Sequence, residues 1–288
     1  MDGSISEALT RLGDRSRPGQ IRPLSGGCIN QAFYVQTGNS EYFVKTNERA
    51  GRDFFQKEAE GLRLLGNAQA IQVPNVYGYF YFEETETSVL VLEWVEGNKN
   101  SRTEEQLGRG VAGLHQTYGG AFGLEADNYI GSLPQVNQWQ DDWIAFYREQ
   151  RLGVQAALAE QQGYMHPGRF KKLQKLMDRL EEWLPDHVKP SLIHGDLWSG
   201  NWITGPGGEP YLIDPAVCFA HFELELAFTE LFGGFSEKFY RAYDEVNPVS
   251  EGYQDRKQLY QLYYLLVHLN VFGESYGSAV DRVLEYYV

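Results

Sequence analysis

The chain has 288 residues, 42% of them hydrophobic and 22% charged, with a formal net charge of −14. That length suits one large domain or two joined ones with ample apolar material for a core. The acidic balance argues against a nucleic-acid partner, which would want a basic face, and two cysteines, Cys28 and Cys218, are too few for a disulfide framework and suit a reducing compartment such as the cytoplasm.

Met1 to Gly13 lacks the basic start and apolar run of a secretion signal, and a short helix is expected over Ile5–Leu12. No apolar run is long enough to span a membrane; the Leu259–Phe272 run is interrupted by His268 and Asn270. Ile21–Leu24 and Ala32–Val35 read as strands around Ser25-Gly26-Gly27-Cys28-Ile29-Asn30. A strand–glycine turn–strand unit can lay backbone N–H groups over phosphate, although two glycines alone also suit an ordinary tight hairpin. Cys28 is either an exposed, redox-sensitive thiol or a small residue packed under the hairpin; the packed state is favoured. Cys218, in an apolar run, is expected to be buried and inert.

Glu41–Thr46 reads as a strand carrying Lys45 at its end. Such a lysine either keeps its head in water at an edge or holds phosphate oxygens. Phe54–Leu65 has helical spacing, with Phe54 or Phe55, Ala59, Leu62 and Leu65 on one face. Glu58 shares that face, so it rather than Glu60 is expected to pair with Lys45. Val76–Phe82 and Ser88–Val95 read as strands joined by an acidic turn. A lobe boundary is placed after them, dividing 1–96 from 97–288; in a two-lobe kinase the end of such a strand is the hinge whose backbone hydrogen-bonds adenine, for which Glu93, Trp94 and Val95 are the candidates. Ser101-Arg102-Thr103-Glu104 has the form of a capping box, and Leu107, Val111 and Leu114 give a helical stripe ending at His115. That histidine reads as a core-edge or capping residue rather than a ligand. A loop is expected over 121–137, and helices over Trp143–Leu158, Pro167–Leu184, Leu224–Phe232 and Leu259–Asn270.

The most informative stretch is His194-Gly195-Asp196-Leu197-Trp198-Ser199-Gly200-Asn201, followed by Ile213-Asp214-Pro215. Asp196 and Asn201 are five apart, as in the phosphoryl-transfer loop His-Arg-Asp-x-x-x-x-Asn. Such chemistry wants one carboxylate near the attacking hydroxyl and hard oxygen ligands for Mg²⁺. A β-hairpin with a polar turn would use Ser199-Gly200-Asn201 equally well.

Taken together, these pieces resemble the fructosamine kinases, a branch of the aminoglycoside-phosphotransferase-like kinases. Further matching segments are Glu58-Ala59-x-Gly61-Leu62, Asp127-Asn128-Tyr129-Ile130-Gly131, Thr229-Glu230-Leu231-Phe232-Gly233-Gly234-Phe235 and Leu262-Tyr263-Tyr264-Leu265-Leu266. The resemblance implies an α+β, bilobal protein-kinase-like fold. A small antiparallel-sheet N-lobe would precede a larger, mainly helical C-lobe. It implies ATP-dependent phosphorylation of the 3-hydroxyl of ketosamines, free or on glycated protein amines, by a monomer or homodimer. The phosphorylated adduct eliminates more readily and frees the amine. Asp196 would accept the hydroxyl proton. Asn201 and Asp214 would hold Mg²⁺. Lys45, braced by Glu58, would hold phosphates under Gly26 and Gly27. His194 would lie beside the substrate, and Trp198 would either offer it an apolar face or simply fill the core beside the loop. In the family pattern a basic residue stands where this chain has Phe222, and Asp where it has Glu225, which bears on the preferred sugar. Two rival readings are a metal-dependent phosphohydrolase and a catalytically silent nucleotide-binding protein on a kinase scaffold.

Overall fold

The computed structural model describes residues 2–25 and 30–288; Gly26, Gly27 and Cys28 of the glycine turn lie outside the described residues. Strands β1 (Gln20–Leu24), β2 (Gln31–Gln36), β3 (Glu41–Asn47), β4 (Val76–Phe82) and β5 (Thr87–Glu93) form an antiparallel sheet in the order β1-β2-β3-β5-β4. Side chains on a strand alternate between faces, and each face is covered by one helix. Helix α1 (Asp2–Arg11) presents Ile5, Ala8 and Leu9 to Phe33, Val35, Tyr42, Val44, Val89 and Val91. Helix α2 (Phe54–Asn67) presents Phe55, Ala59 and Leu62 to Leu90 and Leu92 on the opposite face, with Phe43 packed alongside. Lys45 is in register with Leu90 and Ala32, on the α2 side.

Beyond β5 the chain is mainly helical. Helix α3 (Thr103–His115) buries Leu107, Val111 and Leu114. The expected capping box is not made. Helix α3 starts one residue later than that box requires, with Arg102 as its N-cap, and the Thr103 hydroxyl instead donates to the carbonyl of Gly208, 2.6 Å away. The segment expected as loop over 121–137 contains a short hairpin, β6 (Asn128–Ile130) with β7 (Leu133–Gln135). Polar Asn128 and Gln135 hid it, because both amides are buried by side-chain bonding rather than by hydrophobicity. The expected helix over Trp143–Leu158 is composite: α4 (Trp143–Phe146), a π-helical turn (Tyr147–Gly153) and α5 (Val154–Gln161). Helix α6 (Pro167–Met177) follows.

Four short strands follow: β8 (Ser191–Ile193), β9 (Trp202–Thr204), β10 (Pro210–Leu212) and β11 (Cys218–Ala220). They pair as β8 with β11 and β9 with β10. Helices α7 (Phe222–Leu231), α8 (Glu237–Asp244), α9 (Tyr253–Phe272) and α10 (Gly277–Tyr287) complete the core. Among the described residues no helix is long and apolar enough to cross a membrane. Cys218 is buried, as expected, and burial pushes its thiol pKa up.

Candidate active site

The pairing of β8 with β11 and β9 with β10 sets two loops side by side. One is 194–201; the other is 213–217. They are zipped by backbone bonds from Ala216 N to His194 O (2.9 Å) and from Ile213 N to Asn201 O (3.0 Å). Gly195 makes this approach possible. Its φ is +87°, and a Cβ added there would lie 1.9 Å from the Ala216 carbonyl oxygen.

Within the first loop, the amide of Asn201 donates to Asp196 O (2.7 Å) and to Asp196 Oδ2 (3.0 Å). The carboxylate is therefore held at a fixed angle, and the Asn201 amide oxygen is turned away from it. Burial first, and then the charge of Asp214, push the Asp196 pKa from 3.8 up to about 8, against the Asn201 hydrogen bond.

Asp214 takes a left-handed backbone conformation, φ +57°. Such strain in a non-glycine residue is tolerated where surrounding contacts over-determine it. Its Oδ1 lies 2.6 Å from Lys45 Nζ, and Glu58 Oε1 lies 2.7 Å from the same nitrogen. Glu58 is thus the partner of Lys45, while Glu60 bonds Gln56 and Lys57 on the outer face of α2. Lys45 is buried. Desolvation alone would lower its pKa, yet the charges of Asp214 and Glu58 carry it above the ordinary lysine value. Asp214 and Asn201 fit a hard divalent cation. Lys45 occupies one Asp214 oxygen, but the side chain remains 42% exposed, leaving the second oxygen open. Among the described residues no cluster of three or more His, Cys, Asp or Glu groups could hold a metal. A cation here would be completed by phosphate oxygens and water, as suits Mg²⁺.

His194 takes a place other than the substrate contact expected for it. It is fully buried; its Nε2 bonds the Ile213 carbonyl (2.8 Å) and its Nδ1 lies 3.2 Å from Asp196 N. With both ring nitrogens committed to backbone, it cross-braces the two loops. Burial keeps its pKa below the ordinary histidine value. His115 also lies deeper than a core-edge position. It is fully buried between the Tyr243 hydroxyl (2.7 Å) and Glu225 Oε2 (2.9 Å).

Glu225 is the residue that sequence reasoning missed. It is fully buried, accepting from His194 N (3.0 Å) and Gly195 N (2.6 Å) as well as from His115. Burial opposes its ionisation, but the His115 bond and nearby positive character hold its pKa below normal. Its only signal in the sequence was a departure from the family pattern. Tyr264 holds the other side of the same turn, donating to Gly195 O at 3.1 Å. Glu225→Gln places an N–H₂ against backbone N–H donors and should displace the turn. We expect kcat to fall about 10²-fold, because a misplaced catalytic group costs about that much. Unchanged kcat in steady-state assays would remove Glu225 from loop positioning. Next to Phe222, buried Glu223 is held by Arg256 of α9, which donates to both carboxylate oxygens at 2.5 and 2.7 Å.

At the expected hinge, the Glu93 amide is already committed to Asn75 O at 2.9 Å, which narrows the backbone donors to Trp94 and Val95. A cavity of about 390 Å³ opens beside them, lined by Trp94, Val95, Lys99, Ser199, Trp202 and Thr204 among others. Trp198 stands 40% exposed beside Asp196, with its ring lying where a Cβ on Gly200 would be.

The family model described as fructosamine kinase matches residues 1–288. The chain is 43% identical over 269 residues to a Lactiplantibacillus plantarum protein named a probable ketoamine kinase, covering 93% of this chain and 94% of that one. It is 37% identical over 287 residues to the chloroplastic protein-ribulosamine 3-kinase of Arabidopsis thaliana, covering 99% of this chain and 87% of that one. A crystal structure from Haemophilus somnus, solved as a candidate fructosamine-3-kinase, superposes with a TM-score of 0.88 at 32% identity. That match covers 99% of this chain and 96% of the other.

Proposed function

The chain belongs to the fructosamine kinase family, and from that premise we propose that it transfers the γ-phosphoryl group of ATP to the 3-hydroxyl of a ketosamine. It is a phosphotransferase with an alcohol acceptor on the protein-kinase-like fold of that family. The observation that carries the finer reading is the Asp196 carboxylate, held by Asn201 on a loop zipped to the one bearing Asp214. In this reading Asp196 takes or orients the proton of the acceptor hydroxyl. Lys45, held between Glu58 and Asp214, neutralises nucleotide phosphates. Asn201 and Asp214 would hold Mg²⁺, which supplies charge neutralisation at the phosphates. The protein then contributes positioning and preset electrostatics rather than covalent chemistry. We place the lobe boundary near Glu96, with the nucleotide between the lobes and the reaction in the cytoplasm. Phosphorylation at C3 turns a poor leaving group into a good one and so promotes release of the amine.

The test is ADP formation with ribulose-, fructose- and erythrulose-derived amines as acceptors, each against its unglycated amine. Ketosamine-dependent ADP release is expected; release equal with and without the sugar adduct would overturn the acceptor assignment. The exposed Trp198 face suits the acceptor, since a flat apolar ring packs against sugar carbons and a nearby ammonium. Trp198→Ala should raise the KM for ketosamine about tenfold while changing that for ATP far less. Equal changes in both constants, with a lowered Tm, would instead make Trp198 a packing residue.

A further inference from the structure

The β6–β7 hairpin takes no part in the chemistry above, yet it touches both halves of the site. On one side it clamps the chain that follows Asp214. Asn128 Nδ2 donates to Val217 O (2.9 Å), and Gln135 Nε2 donates to Ala216 O (3.0 Å). These amides are fixed in turn. Asn128 Oδ1 accepts from Gln135 and Asn137, both at 2.8 Å, and Gln135 Oε1 accepts from the Tyr263 hydroxyl at 2.8 Å. All of these side chains are buried. Two successive carbonyls beyond Asp214-Pro215 are therefore held, and one of them is the oxygen that Gly195 leaves room for.

Tyr129 is the next residue along β6, and alternation sends it to the opposite face. There its hydroxyl donates to Asp53 Oδ1 (3.0 Å), and its ring centroid lies 4.9 Å from that of Phe54. Asp53 and Phe54 begin α2, and Glu58 follows one turn later. Further along α2, Gly61 rests on the same clamped segment: an added Cβ would lie 3.3 Å from Pro215 and from Val217. The hairpin thus joins the helix that carries Glu58 to the segment that carries Asp214. Lys45 sits between those two carboxylates.

We propose that the β6–β7 hairpin is an interlobe strut, with Tyr129 as the positioning residue that keeps α2 docked so that Lys45 is held ready for nucleotide. Between Asp214 and α7 the chain has room only for β11, so no long activation segment orders α2. The strut supplies that ordering permanently. Releasing Tyr129 lets the start of α2 move away, Glu58 with it, and Lys45 loses one of its two anchors. The nucleotide side of the site weakens, while the acceptor side, built on the 194–201 loop, does not. This inference rests on the reading that Lys45 serves the nucleotide.

The test compares Tyr129→Phe, which keeps the ring contact and loses the hydroxyl, with Tyr129→Ala, which loses both. Leu284→Ala, in the buried face of α10, serves as a variant that destabilises the fold away from the strut. Losing one hydrogen bond and one aromatic pair should raise the KM and the calorimetric Kd for MgATP about tenfold in Tyr129→Ala and about threefold in Tyr129→Phe. The ketosamine KM should stay within about twofold. Hydrogen exchange of the first α2 turns should quicken in the same order, and Leu284→Ala should lower Tm without changing the ratio of the two KM values. The proposal is overturned if Tyr129→Ala leaves α2 exchange and MgATP affinity as in wild type, or if both KM values rise alike. Exchange and nucleotide binding are read without turnover. A protein that docks α2 through Tyr129 but phosphorylates no ketosamine would therefore keep the strut and refute only the acceptor reading.

Discussion

Asp196→Asn should lower kcat about 10³-fold while MgATP affinity stays within about twofold, the range expected when a proton-accepting group is removed. The substitution keeps the shape and the hydrogen bond from Asn201, and removes only the charge and the capacity to accept a proton. It should also stabilise the metal-free protein. The folded pKa of Asp196 is about 8 against an ordinary 3.8, so the folded state binds the extra proton across that interval. A carboxyl raised on folding contributes a penalty that grows as pH rises from about 4 and is complete above about 8. The asparagine variant lacks that slope. In chelator its Tm should exceed that of wild type at pH 8, with the gap closing towards pH 4. An equal Tm for the two proteins across this window would mean that Asp196 is not ionised against its surroundings. Near wild-type single-turnover rates would remove it from catalysis altogether.

The second large effect is expected at the Lys45 centre. Lys45→Ala leaves Glu58 and Asp214 without the cation between them, and removing one partner from a buried ionic group costs about 3–5 kcal/mol. Glu58 already has a raised pKa through burial, partly offset by Lys45. Without the lysine it should take up a proton, and much of the lost stability should return at low pH. Phosphate positioning weakens too, so kcat/KM for ATP should fall about 10²-fold. Asp214→Ala differs in kind. It removes a hard oxygen ligand and a source of repulsion at Asp196, so Mg²⁺-dependent nucleotide binding should be lost while the Asp196 pKa falls. Calorimetry with MgATP and with ATP in chelator separates the two. An Asp214→Ala protein that binds MgATP as tightly as wild type would contradict the metal assignment.

What was legible in the sequence is what rests on periodicity and local spacing. The alternation of β2 and β3, the Phe55-Ala59-Leu62 face of α2 and the choice of Glu58 over Glu60 all follow from where side chains must point. The spacing of Asp196 and Asn201 placed both on one loop because a short turn between strands leaves them nowhere else. The illegible part is polar and long-range. His115, Glu225 and His194 meet through three separate elements, and no window of sequence contains them together. The family resemblance implied a place for His194 beside the substrate, yet its ring turns inward to the Ile213 carbonyl. The hairpin at Asn128–Gln135 was hidden for the same reason, since its buried amides carry no hydrophobic pattern. Helices α8 and α10 were not individually expected. Helix α8 has an amphipathic face in its own sequence, Phe239, Ala242 and Tyr243 at helical spacing, and packs it against α3.

The central claim is tested most directly by phosphorus NMR of a reaction containing the protein, MgATP and a ketosamine carrying a carbon-13 label at C3. The account predicts a phosphate monoester coupled to the labelled carbon, formed in step with ADP and about 10³-fold more slowly with Asp196→Asn. ADP accompanied only by inorganic phosphate, an ester at another carbon, or no ADP at all would contradict it.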